Sequence, residues 1–261
     1  FLLLNDGISS MILLPILCFP LAIIGFLDDL YDLRKVIRYF SQVITSLLIL
    51  YNSEFLSIFN DLNKTNNYIY LITFMILITS IINFTNFMDG IDGLVSGCMV
   101  SAIIFITISQ NLPMNYWTLI GSLGAFLIYN WYPAKLFMGD VGSTYLGAIY
   151  AGICLNSNSY NETVMSLLII FPLIADAFTC VIRRFFNNQN IFEAHSLHLY
   201  QRLCKAGFDH SKVSLIYILL IFINGFFYLY SDMDKLIYLC LIEILLGYYF
   251  DQRKAAPFKL N

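Results

Sequence analysis

The chain reads as an all-α, polytopic integral membrane protein, and three observations carry that reading. Hydrophobic residues make up 59% of it and charged residues only 12%, where a soluble domain carries about 25% charged residues. Apolar runs of roughly 16–20 residues follow one another along the whole length, close to what a helix needs to cross a bilayer core. The basic residues alternate between connections as they do in membrane proteins.

Nine spans are expected, at about 10–27, 36–51, 68–83, 94–110, 116–132, 141–156, 164–182, 213–230 and 235–250. The first, running from Met11 to Leu27, reads as a span and not as the apolar stretch of a cleavable signal. The connection 51–67 is polar, through Asn52, Ser53, Glu54, Asn60, Asp61, Asn63 and Lys64, as is 156–163, and the longest connection is 183–212. Nine spans force alternate connections to opposite sides. One side then receives Arg34, Lys35, Arg38, Lys135, Arg183, Arg184, Arg202, Lys205, Lys212, Arg253, Lys254 and Lys259; the other receives Lys64 and Lys235. The rich side is expected to be cytoplasmic. The net charge of −3 and the lack of a basic stripe exclude a nucleic-acid partner. The six cysteines are scattered without CxxC spacing and read as small apolar helix residues. With no initiator Met and no internal repeat, the chain is expected to be one transmembrane catalytic domain, 1–261, shortened at its N-terminus.

Four polar clusters fall on the basic side. In Gly25-Phe26-Leu27-Asp28-Asp29-Leu30-Tyr31-Asp32, the adjacent carboxylates Asp28 and Asp29 repel each other and need a cation, a proton or a basic partner. A metal–phosphate site, a base, or a solvated helix end beside Arg34 and Lys35 would all satisfy them. Arg38 lies about a turn into the next helix, placed either to hold a phosphate oxygen or to anchor the chain in the positive side. The second cluster, from Asn83 to Leu94, packs Asn83, Asn86, Asp89 and Asp92 with Gly90 and Gly93 between two apolar runs. Its oxygens suit a hard divalent cation, although a polar hinge would look similar. In the third, Gly139-Asp140-Val141-Gly142-Ser143 opens a helix, offering free N–H groups to a phosphate and Asp140 to its metal; a simple N-cap is the alternative. The fourth is Glu193-Ala194-His195-Ser196-Leu197-His198, continuing to Arg202. His195 and His198 would share a face if this loop were helical, and hydrogen bonding to a pyrophosphate or nucleotide is expected of them. No cysteine or third histidine at zinc spacing joins them in sequence. Asp176 and Glu243 fall inside spans: the first near the same cavity, the second expected to make a helix–helix hydrogen bond. His210 reads as a loop residue.

The series GFLDDLYDLR, NFTNFMDGIDGL, FMGDVGS and HSLHLYQRL resembles the polyprenyl-phosphate N-acetylhexosamine-1-phosphate transferases, glycosyltransferase family 4, from about Met11 to Phe250. A lone acidic run is a weak signal; four motifs in this order on one side are specific. The resemblance implies eleven family spans, of which this chain lacks the first two. It implies Asn86 and Asp140 as Mg²⁺ ligands, with Mn²⁺ as substitute. Asp28 and Asp29 become the paired aspartates, the first a base for the lipid phosphate, and Asp89 and Asp92 an acidic pair that contacts substrate or orders the site. Arg38, Asn83, Gly139, His195, His198 and Arg202 become substrate-binding residues. His195-Ser-Leu-His198 departs from the family's denser histidine run. Together with the Leu-Tyr-Gln-Arg-Leu continuation, it is closer to the members that initiate O-antigen and lipopolysaccharide. That departure, Asp176 and Arg183-Arg184 favour an N-acetylglucosamine-type branch over the muramoyl-pentapeptide one, while leaving a 6-deoxy amino sugar open.

The implied activity is transfer of sugar 1-phosphate from a UDP-N-acetylhexosamine to undecaprenyl phosphate, at the cytoplasmic face of the bacterial inner membrane. The oligomeric state is left open, a homodimer included. Two other classes share some features. A transporter would show repeats and midplane charges, where these acids cluster at one face. An intramembrane prenyltransferase would use DDLYD, but it would leave GDVGS and the histidine loop without a role.

Overall fold

The structure, a computed structural model, describes residues 10–55, 67–190, 193 and 195–259. Lys64 and most of the connection 51–67 lie outside them. Among the described residues there are eleven helices and no strand: α1 (Ser10–Tyr31), α2 (Lys35–Tyr51), α3 (Asn67–Phe87), α4 (Leu94–Ser109), α5 (Met114–Asn130), α6 (Gly139–Leu155), α7 (Tyr160–Ile169), α8 (Phe171–Phe186), α9 (Leu199–Lys205), α10 (His210–Tyr230) and α11 (Met233–Arg253). Every expected span coincides with a helix. One of them, 164–182, needs correction: it is two helices, α7 and α8, meeting at 73°. Pro172 in the first turn of α8 explains the break, because its ring and missing N–H are tolerated at a helix start and not inside one.

By length and composition, Leu13–Tyr31 and His210–Tyr230 are each able to cross a bilayer alone, and α7 with α8 qualifies as a bent third span. The other helices are shorter or carry more polar residues, α9 with seven residues being the shortest. The outer surface agrees: α11 exposes Tyr238, Leu241, Ile242, Leu245, Tyr248 and Tyr249 along one face. An apolar face of that extent belongs against lipid. This is a polytopic α-helical membrane protein.

α6 lies at the centre, with nearly every residue from Ser143 to Leu155 buried. α1 and α3 pack along it, α2 closes against α1 and α3, and α4 packs between α5 and α10. Inside lipid, polar side chains must find partners across helices. Asn83 of α3 donates to Gln42 Oε1 of α2 at 2.7 Å, and a turn further from the site Ser46 Oγ meets Thr79 Oγ1 at 3.0 Å. The hydrogen bond expected of Glu243 is present, from Asn224 Nδ2 of α10 at 3.2 Å.

Close approach of α1 and α6 depends on Gly25. A Cβ there would stand 2.7 Å from both the N and the Cα of Val141, backbone atoms that cannot swing aside. Gly25→Val is therefore expected to push the helices apart and destabilise the protein by about 1–3 kcal/mol, as overpacking does. A Cβ at Gly124 meets nothing within 4 Å, so Gly124→Ala should leave stability unchanged. Thermal unfolding of both variants in detergent checks the contrast.

Candidate active site

One end of the bundle gathers three of the four clusters into contact. The last turn of α1 brings Asp28 and Asp29, the first turn of α2 brings Arg38, and the end of α3 brings Asn83 and Asn86. The turn after α3 carries Asp89 and Asp92, and the first turn of α6 carries Asp140 and Ser143. Arg38 binds two of them at once, with Nη1 2.7 Å from Asp28 Oδ2 and Nη2 2.6 Å from Asp140 Oδ2. The other Asp28 oxygen accepts from the Leu33 N–H at 2.8 Å, which fixes the short turn into α2. Asn86 Nδ2 donates to Asp140 Oδ1 at 2.8 Å and to Ser143 Oγ at 3.0 Å.

The N-terminus of α6 is not open in the way its glycines led us to expect. The Asp140 N–H donates to Asp29 Oδ1 at 3.0 Å and the Val141 N–H to Asp29 Oδ2 at 3.4 Å. A carboxylate from α1 thus occupies the N–H groups expected to hold a phosphate. Gly139 serves that cap instead of a ligand: its φ is 64°, and a Cβ would stand 2.5 Å from Asp29 Oδ2.

Asp89 stands between these groups and the histidine loop. Its partial burial, and then the carboxylates of Asp140 and Asp29, push its pKa up to about 7. Asp92 points elsewhere. It accepts from the Ala134 N–H at 3.0 Å, and His210 Nδ1 lies 3.5 Å from its Oδ1. So it ties the turn to the loop after α5, and His210 has a carboxylate beside it.

The residues fit a hard dication. Four carboxylates gather here (Asp28, Asp29, Asp89, Asp140) and Arg38 bridges two of them, a surplus of negative charge that a cation would correct. Mg²⁺ is commonly held by one or two protein oxygens plus water and substrate phosphates. Asp140, with the Asn86 amide against it, offers that much.

His195 and His198 line a cavity of about 350 Å³ together with Lys35, Arg38, Asn83 and Gln201. The loop is extended at this point and not helical, since α9 begins only at Leu199. The rings come together all the same, their centroids 4.9 Å apart. Burial, followed by the charges of neighbouring groups (Arg184 among them), holds both imidazole pKa values down at about 4, so both are neutral at pH 7. Asp176 anchors the loop: it accepts from the Leu199 and Tyr200 N–H groups at 2.7 and 3.1 Å, and from Tyr217 Oη at 2.7 Å. Arg202 does not reach this cavity. It is buried in an ion pair with Asp251, donates from Nε to the Ala256 carbonyl at 2.7 Å, and lies over the Phe258 ring. It fastens the C-terminal segment.

A second cavity of about 290 Å³ adjoins the first, lined by Val43 and Tyr39 of α2, Ile76, Thr79 and Phe84 of α3, and Val181 of α8. The two share Tyr39, Asn83 and Phe87. Gln42, which lines the first cavity, and Phe87, which lines both, were not singled out in the sequence analysis. Gln42 is the one amide in α2, and that was the available signal.

The fold and site define an integral membrane protein whose helix ends build an anionic, oxygen-rich centre near an apolar groove. Residues 11–158, more than half of the chain, match the sequence model of glycosyl transferase family 4, and the chain belongs to that family. A Bacillus subtilis (strain 168) protein named "Probable undecaprenyl-phosphate N-acetylglucosaminyl 1-phosphate transferase" is 30% identical over 223 residues, 78% of this chain and 61% of its own. A phospho-N-acetylmuramoyl-pentapeptide-transferase of Petrotoga mobilis is 31% identical over 179 residues, 61% of this chain and 55% of its own. A decaprenyl-phosphate N-acetylglucosaminephosphotransferase of Mycobacterium leprae is 27% identical over 238 residues, 78% and 60% of the two chains. The chain thus spans about three fifths of the length of the curated relatives it matches. Identity does not separate the glucosamine from the muramoyl relatives.

The depressed imidazole values give a pH dependence. His198 titrates at about 4 in the fold and at about 6.5 in an unfolded chain. Between those values the unfolded state binds the extra proton, so stability falls as pH drops. The melting temperature should decline as pH is lowered from about 7 to about 5, and His198→Gln should make the decline shallower. An unchanged slope would show that folding does not depress the His198 pKa.

Proposed function

We propose that this protein transfers the sugar 1-phosphate of a UDP-activated N-acetylhexosamine to undecaprenyl phosphate, releasing UMP and forming the lipid-linked sugar that initiates O-antigen or lipopolysaccharide synthesis. One observation carries the reading. A polar cavity lined by Lys35, Arg38, Asn83 and two neutral imidazoles, with Asp32 and Glu193 also on its wall, runs through Tyr39, Asn83 and Phe87 into an apolar groove along α3. A water-borne anionic donor and a membrane-borne acceptor can therefore meet at one point. The names of the relatives support the same chemistry.

In this reading an oxygen of the lipid phosphate attacks the β-phosphorus of the donor. A P–O bond forms there as the bond to the bridging oxygen breaks, and that oxygen departs with UMP. Lys35 and Arg38 hold anionic oxygens, and Asp28 keeps Arg38 aimed. Proton removal by Asp28 is of minor importance, since a phosphate monoester is already largely ionised near neutral pH. Asp89, with its pKa near 7, can hold a proton beside the incoming phosphates and so limits repulsion. His195 and His198 hydrogen-bond the donor from the loop side. Asn86 and Asp140 would hold Mg²⁺, or Mn²⁺ in its place, which would supply charge neutralisation to the pyrophosphate and the leaving group. Asp29 supports this arrangement from α1, and Asp92 from the turn after α3, where it holds the loop after α5. The excess of Lys and Arg on the connections of the site end supports a bacterial inner-membrane location with the site facing the cytoplasm. Residues 1–261 act as one catalytic domain.

UMP release in detergent, with undecaprenyl phosphate and Mg²⁺, tests the proposal across UDP-N-acetylglucosamine and 6-deoxy amino-sugar donors. Lipid-dependent UMP from one donor is expected, abolished by EDTA and lowered about 10²–10³-fold by Asp140→Asn, the scale on which a lost electrostatic stabiliser acts. UMP formation indifferent to Asp140→Asn would overturn the site assignment. Consumption of a prenyl diphosphate without UMP would overturn the reaction.

A further inference from the structure

The fold brings a cysteine to the histidine pair. Cys180 of α8 lies with His195 and His198 so that one ligand atom of each is within 4.8 Å of the other two. We propose that Cys180, His195 and His198 form a site for a thiophilic divalent cation of the Zn²⁺ class, distinct from the oxygen site at Asn86 and Asp140.

Four features converge. The donors are one sulfur and two imidazoles, the set that selects zinc over magnesium. Among the described residues, no other group of three or more His, Cys, Asp or Glu side chains meets this spacing, the carboxylate cluster included. His198 is 3% exposed, yet its Nδ1 makes no hydrogen bond, and a buried polar atom in that state calls for a partner. Asp176 Oδ1 lies 3.8 Å from that Nδ1, beyond hydrogen-bond reach, so the nitrogen is left for a metal. Asp176 itself is held by two backbone N–H groups and Tyr217, so its position is fixed.

The spacing needs little adjustment. Zinc bonds of about 2.0–2.3 Å imply tetrahedral edges of about 3.5 Å, so the three atoms would close by roughly 1 Å. Cys180 and His198 are buried on fixed elements, while His195 sits half-buried on the loop and supplies the movement. Three protein ligands leave a fourth position open, facing the cavity that both imidazoles line. An ion there would tie the loop to α8 and set one wall of that cavity. Sequence spacing hides the site, because Cys180 precedes His195 by a helix end and a loop.

The test uses the full chain in detergent and does not depend on transferase activity, so its failure and the failure of the proposed reaction are separable. Titration with Co²⁺ alone should give one equivalent with thiolate-to-metal charge-transfer absorption, displaced by Zn²⁺ and not by Mg²⁺. Cys180→Ser and His195→Ala should each remove that band, and Cys98→Ser, deep in α4, should retain it. Zn²⁺ should also raise the melting temperature of the unaltered protein and not of Cys180→Ser, provided both start with the same melting profile. A charge-transfer band that survives Cys180→Ser, or one absent from the unaltered protein, overturns the proposal. Loss of the band in Cys98→Ser with an unaltered melting profile overturns it equally.

Discussion

The centre of this protein hangs on one guanidinium. Arg38 reaches from α2 to carboxylates on two other helices, Asp28 of α1 and Asp140 of α6. Without it, Asp28, Asp29 and Asp140 would stand together at the end of a lipid-embedded bundle with no fixed positive charge between them. Asp28, the buried member of this set, would be left without its charged partner, which is costly for a buried carboxylate. The clamp therefore sets where three helix ends meet. Because its arms are rigid and planar, it sets their relative orientation as well.

That arrangement decides what the site can accept. Asp28 and Asp140 consume the charge of Arg38, and Asp89 and Asp29 remain in excess. A centre of this polarity repels a phosphate unless positive charge arrives with it. The chemistry proposed here joins a pyrophosphate to a phosphate monoester, and so needs a dication that the carboxylates welcome and the substrates share. The polar ladder between α2 and α3 holds the walls of the path to that point. The Gln42–Asn83 hydrogen bond lies at the junction of the two cavities, and Ser46–Thr79 continues the seam along the same two helices.

Hydropathy and charge alternation made the fold legible. Apolar runs specify helices in lipid with little ambiguity, since nothing else satisfies the backbone there. The bend between α7 and α8 was less visible, because its apolar run continues through the break and only Pro172 marks it. Of the site, Asp28, Arg38, Asn86 and Asp140 were legible as polar groups crowded at span ends, and the structure brings those four together. Arg202 and Gly139 were not legible. A sequence motif shows which residues are neighbours in the chain, but the partner that claims each one comes from elsewhere: Asp251 for Arg202, from forty-nine positions away, and Asp29 for the α6 terminus, from 111. Cys180 was hidden for the same reason.

The cap on α6 has a consequence for how anions are held. A bare helix N-terminus attracts phosphate through unpaired N–H groups and the helix dipole. Here Asp29 takes those N–H groups, and its charge cancels the favourable end of the dipole. The field that would draw a phosphate to α6 is thus spent within the protein, on fixing α1 against α6 at the point where Gly139 and Gly25 allow close approach. Attraction for an anionic donor must then come from elsewhere, and Lys35 and Arg38 of α2, which line the adjoining cavity, are the positive charges placed for it.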